Sequence, residues 1–348
     1  MSRARKGFAL LTITGAALAM VGTLGIAVDL GRLYITRNES QAYVDSSALD
    51  GVLELDGTLD GLNRARDVVN ANTNRWGMGT NNYADRKIEF STTGTGGWQE
   101  NPASGANYRF LRVKATANVP LYFIPTLGQA TTLRTGATAV AGQVQMTHFR
   151  EGSFPFSPVI HDMNPPNFGL IPGQPYTLRW ASNPKINQNV CQGDRVQAVI
   201  DKANETGSER GYIEETSAST IRQAIEANYQ TRPLDVGDIV EMSGGAKQTQ
   251  RDSLINRVWQ DTDPQSQTYA EYKAGGQGNG RRVVVVPLNT WHPDYIVMGF
   301  AAFFLLHQDE YLKGGNQPFC AEFVGAYMQG SRGNGAGQTG AYHARLIE

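Results

Sequence analysis

Residues 8–28 read FALLTITGAALAMVGTLGIAV and contain no charged side chain. Three basic residues, Arg3, Arg5 and Lys6, come just before this run. A helix of 21 residues is about 30 Å long, which matches the hydrocarbon thickness of a bilayer. Because Lys and Arg next to a span stay in the cytoplasm, we expect a single-pass inner-membrane anchor with a cytoplasmic amino terminus. The bulk of the chain would then be periplasmic or extracellular.

The apolar run is rich in Gly and Ala, a composition that lets membrane helices approach one another closely. Gly15, Gly22 and Gly25 are therefore the predicted helix-packing positions. A cleaved secretory signal is the competing interpretation, since Gly25-Ile26-Ala27 could serve as a small-x-small cleavage site. The apolar region of such signals is usually only about 7–15 residues long. The length of this run favours an uncleaved or pilin-type anchor.

The composition of the whole chain suits an exported, loop-rich protein. The chain has 39 glycines and 18 % charged residues, below the average of about 25 % for globular domains. Its net charge of −1 gives no electrostatic reason to expect a nucleic-acid partner. Cys191 and Cys320 both follow the apolar run, so an oxidising compartment would allow them to form a disulfide. Two unpaired core thiols are the alternative.

Helical spacing continues beyond the apolar run and predicts an amphipathic helix that ends near Leu55. The predicted inward stripe consists of Leu30, Leu33, Arg37, Gln41, Val44, Ala48, Val52 and Leu55. Alternating residues then predict strands at 87–91, 108–118 and 131–143. We expect this helix to pack on a small antiparallel sheet.

The carboxy-terminal part is predicted to be β-rich. Its strongest strand is 281–288, and the apolar run 295–306 is too short to span a membrane and is expected to be a buried strand or core segment. A helix is predicted at 216–229, with Thr216 or Ser217 as its cap. The expected fold class is thus α+β. The predicted segments are a leader and membrane helix (1–29), a helix-plus-sheet domain (30–148) and a β-rich domain (149–348).

The block GIAVDLGRLY at 25–34, followed by Arg37, Gln41, Ala42, Asp45 and Ala48, resembles the TadE/TadG-like Flp pilus-assembly proteins. A second block, from Phe110 through the aromatic segment after Pro120 to the Ala-Thr-Ala near residue 139, is similar to the end of that domain. The resemblance covers about residues 7–145. It implies a non-enzymatic membrane component whose partners are membrane lipid and other Tad/Flp assembly proteins. Asp29 and Arg32 would lie at the membrane border.

Two features depart from the patterns of related proteins. Gly7-Phe8 resembles a pilin-type cleavage site, but Thr12 stands where pilins have a glutamate that pairs with a neighbouring subunit's amino terminus. Processing is therefore compatible with the sequence, whereas polymerisation as a major subunit is not favoured. Some TadG-like proteins carry a von Willebrand A domain, whose metal site needs Asp-x-Ser-x-Ser after a strand. The nearest match, at 45–49, lacks the final Ser and lies on a predicted helix.

The remaining motifs favour structural roles, and we predict no catalytic, cofactor-binding or metal-binding residues and no small-molecule substrate. The glycine-rich segment 275–280 precedes a strand, whereas a phosphate-binding loop follows one. The histidines lack the spacing of a zinc site. Two other functions remain open: an anchored hydrolase that uses Cys320 with His292 or His343, and a surface- or carbohydrate-binding module.

Overall fold

The structure is a computed structural model, and it describes residues 3–72, 83–127, 131–164, 167–181, 190–203, 209–213, 217–227, 230, 232–244, 250–291, 293–312, 317–328 and 340–347. The chain divides into two compact units. Unit 1 comprises Met1–Gly142 and Arg345–Glu348, and unit 2 comprises Gln143–Ala344. The expected α+β fold class is confirmed, because long helices and mostly antiparallel strands occur together.

In unit 1 two helices precede three β-strands. Helix α1 (Arg3–Leu53) is continuous, and α2 (Leu59–Ala71) begins after the cap Thr58, whose side chain accepts a hydrogen bond from the Gly61 amide. Strands β1 (Ala84–Ser91), β2 (Phe110–Pro120) and β3 (Thr132–Gln145) are antiparallel in that order. A 3₁₀ turn, Ile124–Leu127, lies between β2 and β3.

The second half of α1 packs on β2 and α2. At Gly51 an added Cβ would lie 2.5 Å from Leu111 Cδ2 of β2, so a larger residue there would force the Leu111 side chain to shift. The Tyr43 hydroxyl donates to the Val69 carbonyl of α2 at 3.0 Å, and its ring stacks on Tyr83 with centroids 4.5 Å apart. The sheet and α2 therefore hold the part of α1 that follows the apolar run.

The predicted stripe on α1 is right for its second half and wrong for its first. Val44, Ala48, Val52 and Leu55 are buried, whereas Leu30, Arg37 and Gln41 are exposed. The buried face of the first half instead carries small and polar residues. They are Gly25, Asp29, Thr36 and Ser40. On this face Gly25 allows the Phe123 side chain to approach, Asp29 accepts three backbone hydrogen bonds, and Ser40 donates to the Thr36 carbonyl.

On the exposed side of the sheet, Glu89 of β1 lies between two basic side chains of β2. Its Oε2 accepts from Arg112 Nε at 2.8 Å and lies 3.0 Å from Lys114 Nζ. Partial burial raises the pKa of the Glu89 carboxyl, but the hydrogen bonds and charges of its two partners outweigh this and leave the pKa below its usual range. The cross-strand cluster therefore favours the ionised form.

Unit 2 contains most of the other strands. Strands β9 (Val283–Asn289), β10 (Val297–Leu305) and β11 (Phe319–Met328) are antiparallel neighbours, and β12 (Gly340–Ile347) runs parallel to β11. Strand β5 (Pro175–Arg179) also pairs with β11. Two small sheets pair β4 (His148–Phe149) with β7 (Leu234–Asp235), and β6 (Glu209–Ile213) with β8 (Met242–Gly244).

The helices of unit 2 are α3 (Gln197–Ala203), α4 (Ala218–Ala227), α5 (Gln250–Trp259), α6 (Tyr269–Ala274) and α7 (Asp309–Leu312). The prediction of α4 is confirmed: Ser217 Oγ accepts from the Thr220 amide, and Ile221 and Ile225 are buried. The prediction of a buried apolar strand is also confirmed, as β10. We did not predict α5, because its inward residues include Gln250, Ser253 and Arg257, so its hydrophobic periodicity is weak.

A buried arginine organises the loop that precedes α6. Arg282 is fully buried, and its guanidinium donates to the carbonyls of Leu305, Asp263 and Ser266 at 3.0, 3.0 and 2.8 Å. Its cationic carbon lies 4.2 Å from the centroid of the Phe304 ring. A buried charge is tolerated only when its donors are satisfied, and here backbone carbonyls and an aromatic face provide the contacts.

Candidate membrane-border site

The apolar run near the start of α1 is exposed over residues 8–24. By length and composition this helix is long and apolar enough to cross a membrane. Phe8, Leu11 and Leu18 each expose about seven-tenths of their surface. A soluble core helix would bury such side chains against protein. This segment is therefore a candidate membrane anchor.

Asp29 lies one residue beyond the apolar run and binds the segment that follows β2. Its Oδ1 accepts from the Tyr122 amide at 2.9 Å, and its Oδ2 accepts from the amides of Phe123 and Ile124 at 2.9 and 2.8 Å. The carboxylate thus caps the 3₁₀ turn in the way that an N-cap side chain caps a helix. We call residues 121–124 the border loop.

Two effects oppose each other at the Asp29 carboxyl. Burial raises its pKa, whereas the three amide hydrogen bonds and the charge of Arg32 lower it. The lowering effects are larger together, so the pKa of Asp29 lies below its usual range. Asp29 is therefore ionised at neutral pH, and its charge is satisfied within unit 1.

Gly25 and Arg32 complete the contact with the border loop. A Cβ added at Gly25 would lie 2.6 Å from Phe123 Cβ, so the loop backbone approaches α1 at a position that only glycine allows. The Arg32 guanidinium carbon lies 4.2 Å from the centroid of the Tyr122 ring, a cation–π geometry. The structure thus brings three of the predicted residues, Gly25, Asp29 and Arg32, to one site.

The other predicted packing and processing residues lie apart from this site. An added Cβ at Gly15 or Gly22 would meet no atom within 4 Å, so both glycines are open to the surroundings of α1. Gly7 and Phe8 lie in the first turns of the helix. Thr12 Oγ1 donates to the Phe8 carbonyl at 3.1 Å and to the Ala9 carbonyl at 2.9 Å, so its hydroxyl is satisfied within α1. Cleavage after Gly7 stays a prediction.

In unit 2, Cys191 and Cys320 form a disulfide that joins β11 to the segment after β5, with Cα atoms 5.7 Å apart. A disulfide sulfur is not a thiolate nucleophile, so the bonded state does not support the interpretation of Cys320 as a catalytic residue. His292, one of the histidines considered with it, lies outside the described residues. No group of three or more His, Cys, Asp or Glu among the described residues is placed to hold a metal ion.

A polar cavity of about 260 Å³ lies beside α5 and β9 in unit 2. Two arginines line it. Arg257 donates to the carbonyls of Ile225 and Arg281, both at 2.7 Å, and burial lowers the pKa of Arg257 to about 10. Arg281 donates to the Glu226 carbonyl at 2.6 Å. Both side chains bind backbone carbonyls, which gives them a structural role.

Three residues of the border site, Gly25, Asp29 and Arg32, lie in the part of the chain that matches a known family. Residues 7–54 match the family model described as "Putative Flp pilus-assembly TadE/G-like". We call these residues the TadE/G-like segment. The segment extends almost from end to end of α1, and the resemblance expected there is confirmed. The match does not include the second expected block, near residues 110–139. No curated protein and no solved structure matches the chain significantly.

The TadE/G-like segment supports a role in Flp pilus assembly and, with the uncovered helix, a place in the cell envelope. Its Asp29 and Arg32 contact the border loop, which lies outside the matched residues. Sequence reasoning placed both side chains at the membrane border but did not find this contact. A signal was present, since a charged carboxylate at the end of an apolar run needs hydrogen-bond donors.

Proposed function

We propose that this protein is a membrane-anchored, non-enzymatic component of Tad/Flp-type pilus assembly, either a minor pilin-like subunit or an assembly factor. The observation that carries the proposal is the TadE/G-like match over residues 7–54, which begins with an apolar run whose side chains are exposed over residues 8–24. Anchoring accounts for that exposure, because lipid replaces the missing protein contacts.

In the proposed arrangement, residues 1–7 are cytoplasmic, residues 8–28 cross the plasma membrane and residues 29–348 lie outside. The basic residues Arg3, Arg5 and Lys6 support this orientation through the positive-inside rule. The disulfide supports it as well, since such bonds persist in oxidising compartments. The exposed Gly/Ala face around Gly15 and Gly22 would contact helices of other assembly proteins, because small residues allow close helix packing.

The topology is tested with a phosphatase reporter, active only outside the cytoplasm, fused after Glu348. We expect activity from the full chain and none from a matched variant that lacks residues 8–28. Absence of phosphatase activity from the full chain, or protein released from membranes by carbonate, would refute the anchor.

The role in assembly is tested by deleting the gene in its own host and counting Flp-type fibres. We expect fewer fibres, restored by the full chain. A matched control replaces residues 1–28 with a cleavable secretory signal, so that residues 29–348 are exported without an anchor, and it should not restore fibres. Normal piliation of the deletion strain would contradict the assembly role.

A further inference from the structure

We propose that the border loop is a second membrane contact: Phe123 lies at the edge of the hydrocarbon core and Tyr122 in the lipid headgroup layer, beside the exit of α1 from the bilayer. This inference rests on the proposed function, in which residues 8–28 span the membrane. It adds that the folded part of unit 1 touches lipid itself and is held at the bilayer surface.

The depth of the loop follows from its contact with Gly25. Phe123 Cβ lies against this glycine, and Gly25 precedes the last apolar residue, Val28, by three positions. At 1.5 Å per residue, the contact is about 4.5 Å nearer the membrane centre than Val28. If α1 spans the bilayer, Phe123 therefore lies level with the last turn of the apolar run.

The side chains of the loop suit that depth. Tyr122 exposes 58 % of its surface and Phe123 exposes 40 %, although both are aromatic and belong to an otherwise folded unit. Neighbouring Leu121 is buried, and its amide donates to the Thr131 carbonyl at 3.0 Å, which ties the loop to the start of β3. Aromatic rings are enriched at membrane interfaces because their apolar faces contact lipid while polar edges reach water.

The backbone amides of the loop also have the hydrogen-bond partners that an apolar environment requires. An amide without a hydrogen-bond partner is costly in lipid, and an irregular loop normally exposes several. Here the amides of Tyr122, Phe123 and Ile124 all donate to Asp29 at 2.8–2.9 Å. The carboxylate therefore satisfies three amide donors that would otherwise need hydrogen bonds to water. Asp29 acts as a positioning residue for the loop.

Arg32 provides the polar part of the contact. It follows Val28 by four residues, about 6 Å further from the membrane centre, and the headgroup layer is about 5–7 Å thick on each side. Its guanidinium stacks on the Tyr122 ring and lies at the expected level of lipid phosphates. The aromatic pair and the cation thus match the two chemical layers of a phospholipid surface.

The test uses the full chain in vesicles of phosphatidylethanolamine and phosphatidylglycerol. Nitroxide labels are placed singly at Tyr122→Cys, at Leu24→Cys within the apolar run and at Ala103→Cys, an exposed position in the β1–β2 connection. Accessibility to lipid-soluble oxygen is compared with accessibility to a water-soluble nickel complex. We expect a several-fold higher oxygen-to-nickel ratio at 122 than at 103, and the highest ratio at 24.

The outcomes separate the two proposals. A lipid-exposed label at 24 with a water-exposed label at 122 would overturn the loop inference and leave the anchor intact. Water exposure at both would refute the anchor itself. If Tyr122→Cys does not fold, the unmodified chain is photolabelled with a diazirine phospholipid. We then expect adducts on the peptide that contains Tyr122 and none on the peptide that contains Ala103, and the absence of the Tyr122 adduct would overturn the inference.

Discussion

Substitution of Gly25 by alanine should loosen the border loop, and the structure allows the effect to be estimated. The new Cβ would lie 2.6 Å from Phe123 Cβ, whereas carbon atoms in contact prefer about 3.5–4.0 Å. Because the opposing atom is a Cβ, rotation of the Phe123 ring cannot relieve the overlap. The loop backbone must therefore move by about 1 Å.

A movement of this size would disrupt the hydrogen bonds to Asp29. Their present lengths of 2.8–2.9 Å would approach 3.8 Å, beyond the usual range of about 2.7–3.2 Å. Overpacking of a close contact costs about 1–3 kcal/mol. If that cost falls on the docked loop, the amides of residues 122–124 should exchange with deuterium about 5–140 times faster.

The assay is hydrogen–deuterium exchange with mass spectrometry on the full chain in lipid nanodiscs, followed in peptides that contain residues 121–127. Gly22→Ala is the matched control, since an added Cβ there meets no atom within 4 Å. Both substitutions raise helix propensity alike, so this effect cancels in the comparison. Unchanged exchange in Gly25→Ala, or the same acceleration in both variants, would refute our account of the loop contact.

Three further predictions concern the rest of the chain. Replacing Cys191 and Cys320 by alanine should lower the free energy of unfolding of unit 2 by about 4–5 kcal/mol, because the disulfide closes a long loop. Urea titration measures this change, and an unchanged urea midpoint of unfolding would contradict it. The pKa of Glu89 is lower in the folded state, so this carboxylate stabilises the fold above about pH 4.5, and the stabilisation is lost as the pH falls through the folded-state pKa. Glu89→Gln should therefore make the melting temperature less sensitive to acid. Identical plots of melting temperature against pH for both proteins would contradict this. Intact mass of membrane-extracted protein should show an amino terminus at Phe8 if a prepilin peptidase acts, whereas a start near Val28 would mean a released, soluble protein.

Much of the fold was predictable because its signals are local. A long uncharged run gives one candidate span, and continuous burial of residues 297–305 follows from an unbroken apolar sequence. The helix at 218–227 has both a cap and an apolar face. By contrast α5 carries a buried arginine and glutamine, whose places depend on carbonyl acceptors elsewhere in unit 2. Periodicity cannot reveal partners of that kind.

The sequence by itself determined the candidate membrane helix, the α+β class and the TadE/G-like likeness of the first segment, because composition and helical spacing act over neighbouring residues. Only the tertiary structure decided which face of α1 is buried beyond the apolar run. It also decided that Asp29 binds amides more than 90 residues away in the chain. The physical reason is that a hydrogen bond depends on where two segments meet in space, and the meeting of α1 with the border loop depends on how β2 and β3 place that loop beside the helix.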